Sequence, residues 1–124
     1  MSQAFESDNK AKALHIAYYK RHILFCAGPK CCKADKGDEL WHHLKSRLKD
    51  LGLAVPGSGA VFRTKAHCLR VCADGPIAVV YPEGTWYRFI DRRSLDRIID
   101  EHLMRGQVVK DLIFSQNHEI GRSQ

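Results

Sequence analysis

Cysteine is the residue type whose placement invites chemistry in this chain. Cys26, Cys31, Cys32, Cys68 and Cys72 fall in two groups, at 26–32 and at 68–72. Four residues separate Cys26 from Cys31, and three separate Cys68 from Cys72. An odd number excludes complete pairing into disulfides, so four ligands plus one spare is the simplest account. Four thiolates suit zinc or an iron–sulfur cluster. Zinc is disfavoured by the spacing, because structural zinc sites mostly place two residues between paired cysteines. Zinc also tends to staple folds that lack a core, and this chain has apolar segments enough for one. A thiol-redox motif wants two cysteines separated by two residues at a helix start, whereas Cys31 and Cys32 are adjacent. A cysteine nucleophile would need a histidine partner. His67 neighbours Cys68, but adjacent positions seldom pair their side chains productively. The seven histidines read as surface or packing residues, none as a ligand. Buried structural cysteine accounts for one or two of the five. It does not account for two groups in loops beside Gly and Pro.

The elements that must position these cysteines are legible from periodicity. Residues 22–26 read as a strand, with Ile23, Leu24 and Phe25 a continuous apolar run stopped by Ala27, Gly28 and Pro29. Such a run suggests a central strand buried on both faces, with Cys26 where the chain leaves the sheet. Residues 38–51 give the clearest helix, with Leu40, Trp41, Leu44, Leu48 and Leu51 on one face. Gly37 and Asp38 open it and Gly52 ends it. Residues 54–59 form a loop, 60–65 a strand, and 66–75 an irregular stretch holding the second cysteine group. Residues 77–81 form a strand, Pro82-Glu83-Gly84-Thr85 a hairpin turn, and 86–90 the return strand. Asp91 caps a helix over 92–104, buried along Leu95, Ile98, Ile99 and Leu103 and stopped at Gly106. A short helix is expected within 11–20, and residues 108–114 add an extended segment. The order strand, helix, strand, hairpin, helix predicts an α/β fold, a mixed sheet with helices packed on it. Residues 1–20 are expected to be a flexible tail, 21–114 one domain, and 115–124 a polar tail.

Composition narrows the class. Apolar residues make up 44 % of the 124 and charged residues 27 %, which fits a globular protein and excludes a collagen-like or disordered one. No apolar run approaches the roughly 18–20 residues that cross a bilayer. Residues 1–10 carry Glu6 and Asp8 and no apolar core, unlike a secretory signal, so a cytoplasmic chain without disulfides is expected. The net charge of +6 favours acidic partners. Nucleic acid is disfavoured, because the basic residues are scattered rather than gathered in a stripe.

Four stretches then carry a resemblance. Arg21-His22-Ile23-Leu24-Phe25-Cys26 is similar to a first strand and first ligand, and Cys68-Leu69-Arg70-Val71-Cys72 to a second ligand pair. The stretch from Gly75-Pro76-Ile77-Ala78-Val79-Val80-Tyr81 through Pro82-Glu83-Gly84-Thr85-Trp86-Tyr87 resembles a long family signature through the hairpin. Ile98-Ile99-Asp100-Glu101-His102-Leu103 with Gly106 resembles the last helix and its stop. Together they resemble the thioredoxin-like 2Fe-2S ferredoxins, relatives of the ferredoxin-like subunit of respiratory complex I, over about residues 22–112.

The resemblance implies a thioredoxin-like fold with a four-stranded mixed sheet ending in an antiparallel hairpin. It implies one 2Fe-2S cluster held by iron on Cys26, Cys31, Cys68 and Cys72. Cys32 is the alternative to Cys31: the four-residue gap favours Cys31, the distance to Gly37 favours Cys32. It also implies one-electron transport between redox partner proteins, no catalytic residue or substrate site, and a possible homodimer. The alternative is a zinc-bound structural or interaction module. The four-thiolate cluster is negatively charged and becomes more so on reduction. Arg70 lies inside the ligand loop, with Arg63 and Lys65 just upstream, and some of these three are expected to raise the cluster's potential above the roughly −400 mV of plant-type ferredoxins. Trp86 and Tyr87 are read as packing residues of the hairpin.

Overall fold

The computed structural model describes residues 5–14, 18–26, 34–57, 59–71, 74–88 and 90–117. Among the described residues, five strands form one mixed sheet: β1 (Arg21–Cys26), β2 (Val61–Ala66), β3 (Ile77–Tyr81), β4 (Thr85–Tyr87) and β5 (Ile113–Gln116). Their spatial order is β2-β1-β3-β4-β5. β1 and β2 run parallel, and every other neighbouring pair is antiparallel. α2 (Ala34–Asp50) lies between β1 and β2 in the chain, and α3 (Arg92–Arg97) follows β4 and continues as a π-helix over Ile98–Met104. α1 (Glu6–Leu14) precedes the sheet and buries no residue.

Strand alternation sorts the side chains onto two faces. Ile23 and Phe25 of β1, Ala78 and Val80 of β3 and Tyr87 of β4 share the main core. Leu40, Leu44 and Leu48 of α2 join them, with Leu95, Ile98, Ile99 and Leu103 of the last helix. Both long helical segments thus pack on one face of the sheet. Each fully buried Leu or Ile contributes roughly 1.5–3 kcal/mol. On the other face, Tyr19 stacks on Phe62 with centroids 4.6 Å apart, and the ring of His22 meets Thr64 Oγ1 at 2.7 Å.

Several expected boundaries move. The sheet has five strands rather than four, because the chain after Val109 turns through Lys110–Leu112 and pairs with β4. Ser115 and Gln116 are therefore part of the sheet, opposite Trp86 and Thr85. α2 starts about one turn before the expected opening, with Gly37 and Asp38 inside it. An interior glycine costs a helix about 1 kcal/mol, less than its leucine stripe gains by burial. Asp38 does not cap; its carboxylate pairs with Lys65 at 2.6 Å. The short N-terminal helix spans Glu6–Leu14, earlier than expected, and 15–17 of its predicted range lie outside the described residues. β4 stops at Tyr87, where the β4–β5 register shifts. The other signals hold. Asp91 caps α3, its Oδ1 accepting from Ser94 N–H at 2.7 Å. Gly52 closes α2 at φ +72, with Leu53 N–H donating to the Leu48 carbonyl at 2.9 Å.

A buried polar chain ties the start of β1 to the hairpin and the last helix. Val109 N–H donates to the Tyr87 hydroxyl at 3.1 Å. That hydroxyl donates to His102 Nδ1 at 2.8 Å, which leaves the proton on Nε2 to reach Glu83 Oε1 at 2.9 Å. Glu83 also accepts from Arg21 Nε at 3.3 Å and Nη2 at 3.0 Å. Burial pushes the Tyr87 phenol up to about 12, so it keeps its proton. Burial likewise pulls His102 below its ordinary value, outweighing the carboxylate beside it. Burial alone would raise Glu83; the hydrogen bonds from Arg21 and His102 override it and hold the carboxyl low. Gly106, at φ +75, ends the last helix against Arg21, and a Cβ there would stand 2.9 Å from Arg21 Nη2.

Candidate metal centre

Parallel pairing of β1 and β2 brings the two cysteine groups to one end of the sheet. Cys26 closes β1 opposite Ala66 of β2 on one side and Ile77 of β3 on the other. Cys68 follows Ala66 by two residues, so the chain reaches both sulfurs as parallel strands leave the sheet together. Sites at the carboxyl ends of adjacent parallel strands are a general consequence of this geometry.

The two cysteines have different surroundings. Cys26 is fully buried and Cys68 is exposed. Cys26 faces away from the helices. It shares a small apolar cluster with Ile77, backed by Leu69, Trp86 and Phe114. Trp86 and Phe114 meet edge to face, with centroids 6.2 Å apart. Leu69, in the loop after Cys68, packs against this cluster and so links the second cysteine group to the first. Trp86 is a packing residue as expected, and its partners include the cluster around Cys26.

The loop leaving Cys68 turns sharply. Arg70 adopts a left-handed backbone, φ +73, and its N–H donates to Cys68 Sγ at 3.1 Å. Asp74 is also left-handed, φ +56, and the Gly75–Pro76 peptide is cis. Ile90 N–H donates to the Pro76 carbonyl at 3.2 Å, fastening the start of β3. An arginine in this region costs about 1–2 kcal/mol relative to an ordinary conformation. What the turn gains is a backbone donor aimed at a sulfur, and such donors stabilise negative charge there.

Of the predicted ligands, Cys26 and Cys68 are brought to this end, while Cys31, its alternative Cys32, and Cys72 lie outside the described residues. No group of three or more His, Cys, Asp or Glu suited to a metal stands among the described residues. Two of the three cations named near the centre are engaged by other groups. Arg63 lies over the Trp41 ring, 5.9 Å from its centroid, on the helix-bearing side. Lys65 is engaged by Asp38. Arg70 alone of the three is in the cysteine loop. The apolar backing by Leu69 and Phe114 goes beyond the sequence reading; its signal is the apolar pair Ile113-Phe114 before Ser115 and Gln116, too short to read as a strand by itself.

No family model matches the chain. A protein of Priestia megaterium named as a 2Fe-2S ferredoxin is 31 % identical over 102 residues, spanning 82 % of this chain and 76 % of that one. The chain belongs to the thioredoxin-like 2Fe-2S ferredoxins. The fold agrees. A thioredoxin-like [2Fe-2S] ferredoxin structure from Aquifex aeolicus superposes with TM-score 0.66 at 24 % identity, covering 83 % of this ferredoxin and 97 % of that chain. A second structure from that organism gives 0.65 at 26 % identity, covering 77 % and 96 %. A 2Fe-2S ferredoxin of Clostridium pasteurianum is 40 % identical over 55 residues, 44 % of this chain and about half (54 %) of that relative. The zinc alternative gains no support from these relatives. Among the described residues, no helix of this ferredoxin is long and apolar enough to cross a membrane.

Proposed function

We propose that this ferredoxin is a small one-electron carrier that holds one 2Fe-2S cluster on Cys26, Cys68, Cys72 and one of Cys31 and Cys32. The observation that carries this reading is that parallel strands bring Cys26 and Cys68 to the same end of the sheet, with a backbone N–H aimed at Cys68 Sγ. The donor set fits the group: soft sulfur ligands, one of them buried against Ile77, Leu69, Trp86 and Phe114. When bound, the cluster supplies reversible uptake of one electron. The chain's own part is to shield one side of it, to leave the Cys68 side open, and to place positive and dipolar groups near the sulfurs. A substrate pocket is not needed for this work, and redox partner proteins in the cytoplasm are the expected counterparts.

The test is the iron and sulfide content of protein purified without oxygen. Two irons and two sulfides per chain, with visible bands that bleach under dithionite, support the carrier. Bound zinc, or no metal after anaerobic reconstitution, overturns it.

The potential offers a finer check. Arg70→Glu should lower it by an amount on the order of tens of millivolts at low salt, less at high salt. Arg70→Gly keeps the left-handed turn and its N–H donor while removing the charge, so it should fall between. An unchanged potential in Arg70→Glu, measured by dye-mediated titration, would leave the charge without a role.

A further inference from the structure

The sheet face toward which Cys26 turns is thinly covered at the sulfur end. Both long helical segments lie on the other face, and α1 buries none of its residues. Leu69, Trp86 and Phe114 pack on Cys26 and Ile77 there, yet all three stay partly exposed. Val71, in the loop after Cys68, is 40 % exposed. Arg88 follows Tyr87, so alternation returns it to the face of Trp86. Its guanidinium lies over the Phe114 ring, 5.4 Å from the centroid. Register fixes its distance from the sulfur. Cys26 lies opposite Ile77, and Ala78 opposite Tyr87, so one step further Arg88 stands beside Ile77. Cys26, Ile77 and Arg88 thus make one row, with Arg88 two strand spacings, about 10 Å, from Cys26.

We propose that this patch is the docking site for an acidic redox partner protein, with Arg88 as its anchor. The proposal rests on the carrier reading. A carrier must bring its partner close to the cluster, and a partner seated here lies against the residues that enclose Cys26. The patch has the make-up of a protein contact, with aromatic and aliphatic groups at its centre and an arginine laid on an aromatic ring. Its charge selects the partner. Residues 26–34 and 66–73 contain no Asp or Glu. Arg70 and Arg88 are both exposed, and Asp74 is the one carboxylate of the loop leading to β3. Other exposed cations stand elsewhere. Lys36, Arg92 and Arg93 belong to helices that pack on the opposite face. Arg105 adjoins Gly106, which meets Arg21 at the far end of β1. Carboxylates on a partner would complement Arg70 and Arg88 and steer its approach.

The test uses the iron-loaded full chain, reduced, and two haem proteins of opposite charge as probes: acidic cytochrome b5 and basic cytochrome c. In each, one electron leaves the reduced cluster and ferric haem becomes ferrous. Arg88→Glu should slow reduction of the acidic probe about fivefold at low salt, an effect of steering that fades as salt rises. It should speed reduction of the basic probe. Arg88→Gln should fall between the wild-type protein and Arg88→Glu. Arg105→Glu makes the same change in net charge at the far end and should slow the acidic probe less than twofold. An octaglutamate peptide should inhibit reduction of the acidic probe by the wild-type protein and not by Arg88→Glu. The potential of each variant is measured alongside, which separates a change in driving force from a change in encounter.

Equal slowing by Arg88→Glu and Arg105→Glu would mean net charge alone and overturn the proposal, as would no slowing by Arg88→Glu. A wild-type chain that sediments as a dimer while Arg88→Glu sediments as a monomer would give the patch to a second copy instead. Competition by oligothymidylate at lower concentration than octaglutamate would overturn it in favour of nucleic acid. Unaltered visible spectra in the variants separate these outcomes from misfolding. A chain that binds no iron fails the carrier reading first; a chain that binds iron and is indifferent to the charge at position 88 fails the docking proposal alone.

Discussion

Cys26→Ala should give a folded, colourless protein. Cys26 is fully buried at the end of an interior strand, and its sulfur is the most enclosed of the described cysteines. Losing an enclosed ligand cannot be repaired by water, because Ile77, Leu69, Trp86 and Phe114 surround the position. Iron per chain should therefore fall from two to near zero. The fold should survive, since the residue lies outside the main core and the change removes one sulfur atom. Far-ultraviolet circular dichroism and an iron assay on the same sample check both halves. The comparison that follows concerns the second ligand. Alanine at Cys31 and at Cys32 in separate variants should split, one losing iron and the other keeping it. Retention by the Cys26 variant would remove that residue from the ligand set.

Glu83→Gln should cost roughly 3 kcal/mol of stability. Glu83 accepts from Arg21 and from His102 at once. A glutamine offers one oxygen for both, and its amide hydrogens then face the donors of Arg21. The Arg21 side chain is only 13 % exposed, so its charge would be left largely uncompensated. Urea unfolding measures the loss.

The same network sets a pH dependence. His102 is buried neutral with its value lowered, so the unfolded chain takes up a proton more readily than the native one. Stability should be full above the unfolded value of 6.5 and fall as pH drops below it. His22, also lowered by burial, adds to this limb. Glu83, held low, contributes stability that is lost at more acid pH, below the ordinary carboxylate range. His102→Gln should weaken the protein at neutral pH and flatten the limb just below 6.5, leaving what His22 supplies. A limb of unchanged steepness in that variant would assign it to other groups.

The parts of the fold legible in the sequence were those fixed by local pattern. Leu40, Leu44 and Leu48 announce α2, and the apolar runs around Ile23 and Val79 announce β1 and β3. The start of α2 is hidden because Gly37 followed by Asp38 looks like a boundary, and only the packing behind it says otherwise. β5 reads as no more than an extended segment because its signal is its partner: Ile113 becomes a strand residue by lying opposite Tyr87, which no local pattern reveals. The same is true of the site. That Cys26 and Cys68 come to one end of the sheet follows from a strand-helix-strand unit. That Arg63 turns toward Trp41 while Lys65 is held by Asp38 depends on contacts between α2 and β2. The Tyr87–His102–Glu83 chain was hidden more thoroughly, because His102 sits within an apolar stripe and reads as packing.

β1 has Arg21 at one end and Cys26 at the other. Five residue steps, about 17 Å of strand, separate the ion pair that holds the fold from the sulfur proposed to hold iron. The two properties are thereby insulated from each other. Substitutions at the sulfur end can retune the redox chemistry without titrating the latch, and hardening the latch leaves the metal's surroundings alone. For anyone redesigning this ferredoxin, stability and potential are two separate dials.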